Sequence, residues 1–294
     1  MHQVKKRVLV VGGNSYIAQE FFKNYKNDFD MTIVKRDELF SDYFKIDKNL
    51  FEGMDVVINF TAIVHKKGIE RELYTKINTE LALFLASIAK EQQVKQFIQF
   101  STIAVYGDEL EYLQDISKER PVTPYGESKL EADNQLLKLE NKSFSVSIIR
   151  PPMVYGLNAP GNMQMLIKLM GTNLPLPFKN FLNQKSFIYI GNLLNAISLI
   201  IKKEVNGIFL VKDEEDLSIG ELAILLKQGV KSKNILFPLP NWVLTRYMKK
   251  VGVLRKLYGT LTVDDSKTRE KIGIYTTFSV ENGIAAMLQK GEHL

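Results

Sequence analysis

An α/β fold with a doubly wound parallel sheet is predicted for this 294-residue chain by three observations. Short β-rich runs alternate with helical stretches from residue 7 onward, several of the strand-like runs are rich in Val, Ile and Phe, and the first of them ends in a pair of glycines that opens a helix. Alternation of this kind implies parallel strands with helices on both faces, because the crossovers between parallel strands lay helices on the sheet.

In order, RVLVV (7–11) reads as a strand, IAQEFFKNY (17–25) as a helix and MTIVK (31–35) as a second strand, which together make a βαβ unit. Further strands are expected at DVVINF (55–60), QFIQFS (96–101) and SVSIIR (145–150), separated by helical stretches such as YTKINTELALFLASIAKEQQ (74–93). After Arg150 the texture changes, since PPMVYGLNAPGN and NLPLPF concentrate Pro, Gly and Asn. That shift predicts a dinucleotide-binding domain over 1–150, with a return segment at about 186–211, and a smaller C-terminal substrate-binding domain over most of 151–294. The return segment holds a last strand-like run, SFIYI (186–190), followed by the helical NLLNAISLIIKK.

With 45% hydrophobic and 24% charged residues the chain can bury a full core. It has no cysteine, which excludes disulfides, thiolate metal sites and cysteine nucleophiles, and only three scattered histidines, so no metal centre is expected. The opening MHQVKKRVLVVGG has basic residues ahead of an apolar run, yet that run is short and ends in glycines without a cleavage site, so it reads as a strand and not a signal peptide. LALFLASIA and the region of LLNAISLII are the longest apolar stretches and fall short of a bilayer span, so a cytoplasmic protein without stable membrane insertion is expected. A net charge of +6 and a pI near 9.1 suit an anionic partner. The basic residues are dispersed and no nucleic-acid module appears, which favours a small anion such as a nucleotide. The basic run WVLTRYMKKVGVLRKLYG reads as a substrate-domain helix facing a diphosphate in preference to a membrane-surface helix.

A phosphate-binding βα turn needs glycine at the bend, a small residue where backbone meets pyrophosphate and another where helix packs on strand. In VVGGNSYIA these places fall to Gly12, Ser15 and Ala18. Ser15 can cap the helix or donate to a phosphate oxygen, and Asn14 tolerates a left-handed backbone. Tyr16 and Ile17 complete the candidate cofactor-binding turn. At the end of the second strand, Lys35 and Arg36 arrive before Asp37. Basic residues there accommodate a 2′-phosphate, so NADP(H) is expected in preference to NAD(H).

Tyr125 and Lys129 stand four apart in TPYGESK, at the start of a helical pattern, and so share one helix face. A neighbouring ammonium favours the phenolate and brings a tyrosine toward acid–base work at neutral pH. The spacing alone is weak in a chain with 12 tyrosines, but it follows QFSTIAVYG, where Thr102 sits at the carboxyl end of a strand, the end at which open α/β sheets bind ligands.

Four segments in order, VVGGNSYIA, STIAVYG, YGESK and RPPMVYG, resemble the extended short-chain dehydrogenase/reductase family, also called the NAD-dependent epimerase/dehydratase family. DVVINFTAIVH, LTVDDSKTREKIGI and FSVENGI extend the resemblance over nearly the whole chain. It implies a Rossmann-type fold, with Thr102 as the catalytic Ser/Thr, Tyr125 as the acid–base tyrosine and Lys129 as the lysine that lowers its pKa and contacts the nicotinamide ribose. It further implies that Asp47 lies near the adenine, that Phe60, Thr61 and Ala62 line the cofactor, that Asn78 is structural, and that the chain forms a homodimer.

Within that family, dehydratases follow the catalytic threonine with an Asp-Glu pair, whereas this chain has Ile103 and Ala104, which move no proton. UDP-galactose-type epimerases carry Arg-x-x-Asn where this chain has RPPM, with Met153 in the asparagine's place. The pattern instead resembles the branch that reduces UDP-linked 4-keto-6-deoxy-hexosamines in capsule and O-antigen synthesis, although Lys185 replaces a common arginine and Gly191 a usual acid. A UDP-hexose or UDP-N-acetylhexosamine 4-epimerase is the alternative. A non-catalytic dinucleotide-sensing protein would keep the turn but lose the acid–base pair, and the intact Thr102, Tyr125 and Lys129 speak against it. Asn162, Lys185 and Arg255 are candidate substrate contacts on order and charge, Ile103 on its place after Thr102, and His65 is either a substrate contact or a polar strand end.

Overall fold

The computed structural model describes residues 4–35, 46–64, 68–172, 174–179, 183–231, 233–240 and 258–289. Its centre is a six-stranded sheet, parallel throughout, of β1 (Arg7–Val11), β2 (Asp30–Val34), β3 (Val56–Asn59), β4 (Gln96–Phe100), β6 (Ser145–Arg150) and β9 (Gly207–Leu210). The strands lie in the order β2-β1-β3-β4-β6-β9. Order reverses at β1, which pairs with β2 on one side and β3 on the other, and this switch opens a crevice at the carboxyl ends of β1 and β3.

Alternate residues of each strand enter opposite cores, as the two-residue period of a strand demands. Val8, Val10, Ile58, Ile98 and Ile149 face α1 (Tyr16–Tyr25) and α6 (Ile190–Lys203). Leu9, Val11, Val57, Phe97 and Ile148 face α3 (Leu81–Glu91) and α4 (Pro124–Lys138). Both faces are thus covered, and even the polar Gln96, Gln99 and Ser147 of β4 and β6 are buried.

The single helix expected over 74–93 is built in three parts. A turn of α-helix, α2 (Arg71–Tyr74), passes through a wide i→i+5 stretch (Thr75–Glu80) before α3 begins. The wide stretch carries Asn78, fully buried, whose Oδ1 accepts from Ile63 N at 2.8 Å and whose Nδ2 donates to Ser128 Oγ at 2.9 Å. It therefore ties the segment after β3 to α4.

SFIYI forms a strand, β8 (Phe187–Tyr189), but pairs with β7 (Met153–Tyr155) outside the main sheet. The sixth sheet strand is GIFL, beside β6. Helix α6 starts directly after Tyr189, so the chain crosses the sheet face before it joins the edge. A separate apolar cluster, including Tyr155, Met163, Phe178, Leu222 and Ile284, unites β7, β8, α5 (Asn162–Met170), α7 (Ile219–Gly229) and α9 (Val280–Leu288). Short strands β5 (Tyr112–Leu113) and β10 (Thr262–Val263) pair in parallel, and α8 (Ser266–Ile272) follows β10. No helix among the described residues is long and apolar enough to cross a membrane.

Candidate active site

The glycine turn lies at the mouth of the crevice. Gly12 has φ +89°, and a Cβ built there would sit 2.8 Å from Thr61 N, so only glycine fits both the conformation and the space. The amides of Gly12 and Gly13 both donate to Val34 O, at 2.9 and 3.0 Å, which brings the end of β2 against the turn. The left-handed residue is therefore Gly12, and the tolerance of Asn14 for that conformation is not used, its φ not being positive.

Ser15 is the N-cap of α1: its Oγ accepts from Ala18 N at 3.3 Å, while its own amide donates to Gly12 O at 2.9 Å. The amide is thus used inside the turn, and the hydroxyl proton is what Ser15 retains for a ligand. Ala18 is fully buried where helix meets strand, and Tyr16 and Ile17 pack partly buried on the same core. Burial raises the Tyr16 phenol, whose Oη is enclosed and makes no hydrogen bond among the described residues.

Across the crevice, Phe60 packs on Phe100 with ring centroids 5.4 Å apart. Thr61 donates to Asn59 Oδ1 from its amide (2.9 Å) and its hydroxyl (2.5 Å), and Asn59 in turn donates to Gln99 Oε1 at 2.9 Å. Ala62 follows, partly buried. Lys35 is exposed one residue beyond the Val34 carbonyl that anchors the turn. Asp47, also exposed, accepts from Asn49 N at 3.0 Å and caps a short 3-10 turn. Arg36 and His65 lie outside the described residues. The first turn of α1 carries no carboxylate, so this end of the helix fits the diphosphate of a dinucleotide.

At the junction of β4 and α4, three consecutive strand-end residues each hold one turn of the helix. Thr102 shares a hydrogen bond with the Tyr125 phenol and also accepts from Ala104 N at 3.1 Å. Phe100 O accepts from Lys129 Nζ at 2.5 Å. Ser101 Oγ donates to Asp133 Oδ2 at 2.7 Å. The helix is started by Thr123, whose hydroxyl accepts from Gly126 N at 3.1 Å, and by Pro124 in its first turn. A Cβ on Gly126 would meet Ala104 O at 2.7 Å, so glycine there lets α4 close on the strand end.

The electrostatics depart from the expected pairing. Burial pushes the Tyr125 phenol up to about 12, against the opposing hydrogen bond from Thr102. Burial likewise pushes the Lys129 ammonium down to about 8, opposed by Asp133. Lys129 was expected to lower the Tyr125 pKa, but its ammonium is drawn to the Phe100 carbonyl, and the group that opposes burial of the phenol is Thr102.

Of the candidate substrate contacts, Ile103 packs against the small core of Val105, Tyr106 and Leu113, its amide donating to Pro151 O at 3.2 Å. Asn162 begins α5. Lys185 exchanges backbone hydrogen bonds with Leu217, and burial alone depresses its ammonium to about 8, with no carboxylate among the described residues contributing. Arg255 lies outside the described residues. Met153 is exposed on β7. Gly191 has a packing reason: a Cβ there would lie 2.7 Å from the Tyr189 ring and 2.9 Å from that of Phe278. Ser101, Asp133 and Arg150 were given no role from the sequence, although Asp133 continues the Tyr125, Lys129 spacing by one more turn.

Comparison with known proteins agrees with this architecture. A model of the NAD dependent epimerase/dehydratase family matches residues 8–211. A Vibrio cholerae protein named UDP-glucose 4-epimerase is 29% identical, with 98% of this chain and 96% of that protein covered. An Escherichia coli O157:H7 epimerase of N-acetyl-glucosaminyl-diphospho-undecaprenol is 24% identical over 96% of this chain and 94% of its own. Among solved structures, UDP-glucuronic acid 4-epimerase from Bacillus cereus in complex with NAD superposes with TM-score 0.76 at 20% identity, covering 96% of this chain and 97% of that one. RMD from Pseudomonas aeruginosa complexed with NADPH also gives TM-score 0.76, at 14% identity and with 96% and 98% covered. With a family model that spans most of the chain and a Rossmann-like sheet that superposes along its length, the protein belongs to the NAD dependent epimerase/dehydratase family, an NAD(H)-binding family of oxidoreductase-type enzymes.

Proposed function

We propose that this enzyme reduces the C4 ketone of a UDP-linked 4-keto-6-deoxy-hexosamine, in the cytoplasm, as a step in cell-surface polysaccharide synthesis. A bound reduced nicotinamide supplies the hydride. The observation that carries the reading is the Thr102, Tyr125, Lys129 cluster, in which the phenol holds its proton at neutral pH. A protonated phenol is the form a reductase needs, because an alkoxide forming at C4 takes up that proton. Thr102, already hydrogen-bonded to Tyr125, is placed to donate to the same oxygen and stabilise the charge as it develops. Ile103 and Ala104 supply no second acid or base, which speaks against dehydration.

The crevice would hold the dinucleotide through Gly12, Gly13, Ser15 and the start of α1, with Phe60, Thr61 and Ala62 along its other wall. Lys35 beside the turn supports NADP(H) over NAD(H), since a cation there suits a 2′-phosphate. Lys185, half-buried without a carboxylate partner among the described residues, supports a diphosphate contact. The region from residue 151 onward is read as mainly substrate-binding, and the working form as a homodimer. Names of relatives such as the Vibrio cholerae UDP-glucose 4-epimerase favour the second reading, a UDP-hexose or UDP-N-acetylhexosamine 4-epimerase.

A spectrophotometric assay separates the two. Loss of reduced-nicotinamide absorbance on adding a UDP-4-keto-6-deoxy sugar, faster with NADPH than NADH, is expected. No loss with either cofactor, together with interconversion of UDP-hexoses by enzyme holding its own cofactor, assigns the epimerase.

A further inference from the structure

Behind the Tyr125, Lys129 pair lies a charge cluster sealed from solvent. Lys129, Asp133 and Arg150 are each no more than 1% exposed. Arg150, the last residue of β6, donates from Nε to Asp133 Oδ2 at 3.0 Å and from Nη1 to Tyr106 Oη at 2.7 Å and Glu119 Oε1 at 2.9 Å. Asp133 Oδ2 thus accepts from both Arg150 and Ser101, while its Oδ1 makes no hydrogen bond among the described residues. A fully buried carboxylate with one oxygen unmatched is costly for a purely structural ion pair. It faces two buried cations, Arg150 directly and Lys129 one helical turn away.

Resting on the catalytic reading of Tyr125 and Lys129 above, we propose that Asp133 is a positioning residue: its carboxylate, divided between Arg150 and Lys129, keeps the Lys129 ammonium charged beside Tyr125. Arg150 sets how much of that carboxylate's field Lys129 receives, and Glu119, at the half-exposed end of the cluster, balances Arg150. Among the described residues, the ionisable groups around this site are Tyr125 and Asp133 on α4, Arg150 on β6, Tyr106 and Glu119 from the segment joining β4 to α4, and Tyr74 of α2, which faces the phenol. The end of β4 contributes uncharged groups, the Phe100 carbonyl and the hydroxyls of Ser101 and Thr102. Burial alone strips charge from a lysine in such a place, and Asp133 is the group that opposes it.

The test is an NMR titration of full-length protein with lysine labelled by carbon-13 at Cε, the Lys129 signal being identified by its loss in Lys129→Met. The parent midpoint is expected near 8. Asp133→Asn, which keeps the shape and removes the charge, lowers the midpoint by about one unit or more, and Asp133→Glu restores it. Glu119→Gln, at a half-exposed position that tolerates change, lowers it by less, and so keeps the proposal testable if Asp133→Asn does not fold. A Lys129 midpoint that is the same in the parent, Asp133→Asn and Glu119→Gln, or that rises in Asp133→Asn, overturns the proposal. The titration needs no turnover. A failure of the reductase reading would show in the absorbance assay while the Lys129 midpoints still decided this question.

Discussion

The glycine turn and the β4–α4 junction flank one crevice but are built from different materials. At the turn the working groups are backbone: the amides of Gly12 and Gly13 on Val34 O, and the amide of Ser15 on Gly12 O. At the junction they are side chains, with Tyr125, Lys129 and Asp133 at one-turn spacing held by Thr102, Phe100 and Ser101. A backbone device accepts many side chains provided the conformation and the space are kept, whereas a side-chain device loses its chemistry with one atom. The two regions should therefore respond to substitution in different ways.

Tyr125→Phe makes the sharpest cut. It removes one oxygen, and turnover is expected to fall about 10²–10⁴-fold while dinucleotide binding, followed by nicotinamide fluorescence, stays as in the parent. Equal turnover would remove the phenol from the chemistry. At the turn, Gly12→Val combines a positive φ with a Cβ 2.8 Å from Thr61 N. It is expected to cost about 1–3 kcal/mol in denaturant unfolding and to abolish dinucleotide binding. Retained binding in a folded variant would show that the turn does not need close backbone approach.

The pH profile comes next. Lys129 loses its proton as pH rises through about 8, so kcat should fall toward tenfold per unit on the alkaline side of that value. A profile flat to pH 10 would contradict a charged Lys129 in the rate. The smallest effect belongs to Ser15. Loss of the helix cap in Ser15→Ala is expected to cost about 1 kcal/mol, and in Ser15→Gly a few tenths. Dinucleotide affinity unchanged in Ser15→Gly would make the hydroxyl dispensable to the ligand.

The same contrast explains what could be read from the sequence. The strands were legible because burial on both faces leaves runs rich in Val and Ile such as RVLVV and DVVINF, and α4 because Thr123 and Pro124 mark its start. Spacing brought out Tyr125 and Lys129, and the strand end brought out Thr102. SFIYI was legible as a strand but not as one that leaves the main sheet, since pairing partners are chosen by tertiary packing and not by local pattern. The direction of the Tyr125 shift was missed because spacing shows which charges are near but not how far water is excluded from them. Asp133 and Arg150 were missed for a related reason: on opposite elements, they look like ordinary charges until burial is known. At Gly191 the departure from the family pattern became intelligible only with the rings of Tyr189 and Phe278 in place.

Net hydride delivery from an exchanging cofactor separates a reductase from an epimerase, and deuterium reports it directly. With NADPH deuterated at the transferable C4 position and a UDP-4-keto-6-deoxy-hexosamine, the product should carry one deuterium at sugar C4 for each NADPH consumed. Product without deuterium, or UDP-hexose epimers interconverting with no NADPH consumed, would contradict it.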